Sequence, residues 1–219
     1  MSLVLILGSI GVACSAEPAS PPPESFLPLM APDPEIPANF TTYTDDTKLF
    51  SISYPSDWQT APDLIKGFEE KAKVAINDIQ AGLPVEEPTA IFIAGKRITT
   101  GGFGIDPNVN IVVEPILAET PEGVSALDQR VESAVTVMKT VILQDYNEFS
   151  RVKTTINGRE AAIVDYEGVA PGVGKRHYLM MVTLAGKTSW RVTCSSIAEG
   201  FATSEKDFKA IVRSLRISD

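Results

Sequence analysis

Two cysteines and a single histidine are all that 219 residues offer of thiol and imidazole chemistry. Cys14 and Cys194 cannot build a disulfide framework, and with only His177 beside them no cysteine-rich zinc site can form. Positive charge is also scarce. Nineteen basic residues face 28 acidic ones, a formal charge of −9. Phosphate backbones bind proteins largely through Lys and Arg, so nucleic acid is excluded as a partner, and charge alone does not draw the chain to anionic lipid. No apolar run approaches the roughly 20 residues that span a bilayer as a helix. No period of roughly 20 to 50 residues repeats, which rules out a solenoid.

What is present begins at the N-terminus. The uncharged, largely apolar run Leu3–Ala13 has the length of a signal-peptide core and leads straight into Cys14. Val12 and Ala13 are the small or aliphatic residues that precede a lipidated cysteine in bacterial lipoproteins. Gly11 stands where an aliphatic residue is usual, and Met1-Ser2-Leu3 carries no Lys or Arg. Eight of the 16 prolines follow between Ala16 and Pro37, three of them consecutive at Pro21-Pro22-Pro23. Proline fixes φ and removes an N–H, so the stretch favours extended polyproline II. At about 3.1 Å per residue it would hold a domain some tens of ångströms from a membrane. The expected organisation is a signal peptide over 1–13, a lipid-attachment Cys14 with a proline-rich tether over 14–38, and one folded domain over 39–219.

In the folded part, Phe50, Ile52 and Tyr54 alternate along one strand face, with Pro55 and Trp58 after them. Leu64, Phe68, Ala72, Ala75 and Ile79 recur at steps of three and four and predict an amphipathic helix closed by Gly82 and Pro84. Strands are expected over 90–98 and 109–114, joined by the glycine-rich loop 99–104. Ser125 with Asp128 three residues on has the form of a capping box. Leu127, Val131, Val135, Met138 and Ile142 then run down one helix face. A meander is expected over 146–195, with a type I′ hairpin at Asn157-Gly158, a looser turn over Gly168–Gly174 and a tight one at Ala185-Gly186-Lys187. Ser204 would cap a last helix that turns Phe208, Ile211, Val212 and Leu215 inward. Tyr178–Leu184 is apolar at both parities, which implies cover on both faces. The expectation is an α+β fold, an αβα sandwich with one central antiparallel sheet flanked by three helices.

Three ordered stretches resemble the PsbP-like family, which shares its fold with Mog1. They are Tyr43-Thr44-Asp45-Asp46 through Tyr54-Pro55-Ser56-Asp57-Trp58, the strand Asn108–Val113, and Gly186–Trp190 followed by the helix with Phe208, Ile211, Val212, Ser214 and Leu215. The resemblance spans 39–217. It implies a non-enzymatic αβα domain that docks on other proteins; the founding members are extrinsic subunits of photosystem II, and bacterial relatives include lipoproteins of unknown role. The stretch 62–88 and the acylation-type N-terminus depart from the photosystem subunits. No photosystem role is carried over, nor calcium or manganese binding, because no residues here match a ligand motif.

The remaining chemistry-bearing residues read blandly. His177, beside Lys175 and Arg176, is expected to be a solvated strand-end histidine. Cys194 shares a strand face with Trp190 and Val192 and is expected to be a buried structural thiol. Gly101-Gly102-Phe103-Gly104 lacks the Lys-Ser/Thr of a phosphate loop. Asp45-Asp46 and Glu86-Glu87 read as solvated turns, Lys96-Arg97 and Lys175-Arg176 as a small basic patch, and Trp58, Trp190 and Phe208 as core. The expectation is a membrane-anchored, extracytoplasmic lipoprotein with an unidentified protein partner and no catalytic, cofactor or metal residues. The alternatives are a carrier of a small apolar ligand, or a hydrolase using Cys194 and His177.

Overall fold

The computed structural model describes residues 27–28, 36–63, 65, 89–96, 106–116 and 123–218. The segment 1–13, Cys14, most of the tether, the helix expected from Leu64 to Ile79, Glu86-Glu87, Arg97 and the loop 99–104 lie outside the described residues.

The described elements run β1 (Leu27–Pro28), β2 (Phe40–Thr44), β3 (Phe50–Pro55), β4 (Gln59–Thr60), β5 (Thr89–Gly95), β6 (Asn108–Pro115) and α1 (Ala126–Val137). A π-helical turn (Met138–Ile142) precedes β7 (Gln144–Ile156), β8 (Arg159–Ala170), β9 (Gly174–Ala185) and β10 (Thr188–Ile197). A 3-10 turn (Ala198–Gly200), α2 (Phe201–Ser214) and β11 (Arg216–Ile217) close the chain. The large sheet has the order β1-β7-β8-β9-β10-β6-β5-β4 and is antiparallel apart from β1, which pairs parallel with β7 at Leu27↔Val152.

One expectation fails at the level of sheets. The alternation in β3 was correctly a strand, but β3 pairs with β2 and β11 in a separate three-stranded sheet, order β11-β3-β2. Period-two alternation fixes which side chains share a face and leaves the pairing partner open. Phe50, Ile52 and Tyr54 accordingly cover the large sheet, packing with Phe92, Ile111, Leu179, Met181 and Val192. Helix α2 joins the same cluster through Phe201, Phe208, Ile211 and Val212. It is tied to the small sheet by Ser53 N, which donates to Ser214 Oγ at 2.8 Å.

The alternate residues of β8 and β9 (Ala162, Val164, Tyr166, Tyr178, Met180 and Val182) pack against Leu127, Val131, Ala134 and Val135 of α1. Apolar cover on both sides explains why β9 is buried at both parities from Tyr178 to Thr183. The fold is thus mixed, with two described α-helices and a large antiparallel sheet.

Local chemistry accounts for several boundaries. Asp128 N donates to Ser125 Oγ, so the cap of α1 forms as its spacing predicts. The stripe on α1 loses phase at the π-helical turn, leaving Met138 partly buried and Ile142 exposed. Ser204 does not cap α2: the helix starts three residues earlier at Phe201, whose ring is buried, after the turn that ends at Gly200. Asn157 and Gly158 both have positive φ, 51° and 79°, as a type I′ turn requires. The looser turn is narrower than its glycines suggest. Gly168 is a strand residue of β8, and a Cβ there would sit 3.0 Å from the Leu143 side chain.

Candidate functional site

The chain's one histidine is not solvated. His177 lies near the start of β9 on the face shared with Leu179 and Met181, and its side chain is 16% exposed. Its ring stacks on Phe201, the first residue of α2, with centroids 3.4 Å apart and planes within 4°. Phe149 of β7 lies on it at 5.1 Å, tilted by 36°. Nε2 is hydrogen-bonded to Asp165 Oδ1 at 2.5 Å. The expectation of a solvated strand end fails because the helix start and a neighbouring strand both converge on this position.

Asp165 is the residue that sequence reasoning missed. In the β8–β9 register His177 faces Glu167, and Asp165 is the diagonal neighbour on the same face. Hairpin parity would have placed both acids within reach of the ring. Glu167 is instead taken by Lys175 Nζ, at 2.7 Å.

Cys194 sits on the same sheet face, fully buried among Trp190, Val192 and the α2 side chains. Burial pushes its thiol well above the ordinary cysteine range, so at neutral pH it is a protonated, inaccessible thiol. This agrees with the structural reading of that residue. Trp58, Trp190 and Phe208 are likewise core, with Trp58 edge-on to Phe208 at 6.3 Å.

The expected basic patch does not survive as free charge among the described residues. Lys96 pairs with Asp57 at 3.0 Å. Arg176 is buried, with Nη2 donating to Asp106 Oδ1 at 3.0 Å and to Ser195 Oγ at 3.1 Å. Asp106 Oδ1 also accepts from Ile197 N, so one carboxylate pins the ends of β9 and β10. Asp45 behaves as a turn residue, its Oδ2 accepting from Thr47 N at 3.1 Å.

At the other end of β8 and β9 the tip of the β7–β8 hairpin leans on the C-terminus of α2. Asn157 Nδ2 donates to Leu215 O at 2.6 Å and Arg213 O at 3.2 Å, and Arg159 Nη2 reaches Ile217 O at 3.4 Å. A cleft of about 280 Å³ opens there, between Asn157, Arg159, Thr183, Arg216 and Ile217. A neighbouring cleft of about 340 Å³ lies beyond Gly158 and Arg159, against the start of α1.

A family model described as PsbP matches residues 38–217. The chain belongs to the PsbP family. Among solved structures, this PsbP domain is similar to the solution structure of cyanobacterial PsbP (CyanoP) from Synechocystis sp. PCC 6803. The TM-score is 0.51 at 15% identity, covering 83% of this chain and 94% of that one, a likeness of fold. The Saccharomyces cerevisiae Ran-binding protein Mog1p is also similar, with a TM-score of 0.46 at 9% identity, covering 83% of this chain and 96% of that one. No curated protein matches the PsbP-family chain in sequence.

Proposed function

We propose that this PsbP-family chain is a lipid-anchored, extracytoplasmic accessory protein whose folded domain docks on a protein partner without catalysing a reaction. The observation that carries the docking reading is the aromatic column at the His177 end of the sheet. Phe149 is 52% exposed and backed by His177, which Asp165 and Phe201 hold rigidly. A large apolar side chain presented on a preorganised support is the kind of group that carries binding energy in interfaces. The layering we read is an αβα sandwich, with the small sheet sharing the α2 layer.

The hydrolase alternative is disfavoured because its nucleophile would be Cys194, whose thiol is buried and held protonated. The carrier alternative draws no support from the two clefts described, which are walled in part by arginine and polar main chain.

The anchor reading rests on Cys14 behind its apolar run and ahead of the proline tether. A palmitate analogue should label the wild-type chain and not Cys14→Ser; a Cys14→Ser variant that takes up label and stays in membranes refutes the anchor. The docking reading is tested with a photo-crosslinking residue at position 149 in intact cells. A discrete crosslinked product, lost when Asp165→Ala frees the support, is expected. Equal crosslinking from an arbitrary exposed site such as Lys187 would sink it.

A further inference from the structure

We propose that the cleft at the β7–β8 tip binds a carboxylate on an acidic segment of a partner protein. It lies at the opposite end of β9 from Phe149: His177 and Thr183 are six residues apart, about 20 Å along a strand.

The cleft is lined by an arginine that holds no carboxylate among the described residues. Acids outnumber bases in the chain, and at least seven of its described cations hold a carboxylate. Lys96, Arg151, Lys153, Lys175, Arg176, Arg191 and Lys209 each have one. Arg216 does not follow that pattern. Its Nη1 donates only to main-chain oxygens, Arg213 O at 3.2 Å and Leu215 O at 3.4 Å, both long for such bonds. Arginine carries five donors in a planar fork, so this use leaves the geometry that grips a carboxylate in two places intact. Arg159 lines the same cleft from β8, with Nη2 donating to Ile217 O.

The walls favour a side-chain carboxylate over a bare anion. Ile156, Met181 and Leu215 give the cleft apolar surface beside its arginines. The methylenes of a glutamate would cover that surface, whereas inorganic phosphate or a lipid headgroup would leave it wet. Glu160 lines the second cleft, whereas among the described residues no acidic residue lines the first.

The test is a titration of the isotope-labelled full chain with acetylated hexaglutamate, followed by amide NMR, with inorganic phosphate and phosphatidylglycerol vesicles in parallel. Hexaglutamate should shift Asn157, Gly158, Arg159 and Ile217, with binding that weakens as salt rises. Arg216→Glu should weaken it by roughly tenfold or more, and Arg216→Lys, which keeps charge and loses the fork, by less. Arg216 is exposed, so both variants should keep the parent spectrum elsewhere. Phe149→Ser should leave hexaglutamate binding unchanged, which separates failure here from failure of the docking face. The proposal is overturned if hexaglutamate moves no resonance around the cleft, if Arg216→Glu binds it as well as the parent, or if phosphate or vesicles bind in its place.

Discussion

The two ends of β8 and β9 solve the same problem in opposite ways. At the His177 end, polar groups are locked by carboxylates: Asp165 holds the imidazole, Asp106 holds buried Arg176, and Glu167 holds Lys175. At the hairpin end, Asn157, Arg159 and Arg216 are spent on main-chain carbonyls at the close of α2 and around β11. A charge buried against one partner is fixed and expensive to disturb. An exposed arginine such as Arg216, resting on carbonyls at the surface, can be redirected at small cost. The first end is therefore rigid support for an exposed ring, and the second is an adaptable electrostatic grip.

The contrast is broken most sharply at Asp106. Asp106→Ala leaves the Arg176 guanidinium buried without its carboxylate and frees Ile197 N, and should cost about 3 kcal/mol in a urea unfolding curve. A loss under about 1 kcal/mol would mean that the carboxylates are not what stiffens this end.

Gly168→Ala comes next. The added methyl would press on Leu143 at 3.0 Å and on Gln144 O at 3.2 Å, and should lower stability by about 2 kcal/mol. Calorimetry that finds the variant as stable as the parent would show that this corner relaxes freely.

At the hairpin end, Asn157→Ala removes both links to the end of α2 and puts alanine at φ 51°, for a loss of about 1–2 kcal/mol. Asn157→Gly keeps the turn and loses only the links. If the two variants unfold at the same denaturant concentration, the backbone conformation contributes nothing and the clamp is entirely side-chain.

The smallest effect is a dependence on pH beside Phe149. Burial pushes the Glu148 carboxyl up, but hydrogen bonds from Arg151 and Tyr146 outweigh it and hold the group below the ordinary glutamate range. A carboxyl depressed by folding stabilises the protein above its unfolded value, and that contribution is lost as pH falls through the folded one. Wild-type stability should therefore fall more steeply than that of Glu148→Gln on the acid side of the glutamate range. Parallel curves would remove this network from the account.

Legibility in the sequence followed the range of the interaction. The capping serine of α1, the Asn157-Gly158 turn, the inward faces of α1 and α2 and the burial of Cys194 all depend on residues a few positions apart, or on parity along one strand. The placement of β3 in a second sheet, the start of α2 at Phe201 and the surroundings of His177 depend on segments that meet only after folding. Phe149, Asp165, His177 and Phe201 come from three strands and a helix.

By itself the sequence determined the local elements and the family the domain belongs to, because periodicity and turn chemistry act along the chain. Only the tertiary structure decided that His177 is a stacked, acid-bound ring and that Arg159 and Arg216 share a cleft. Those outcomes depend on which strands become neighbours, and alternation along a strand does not name its partner.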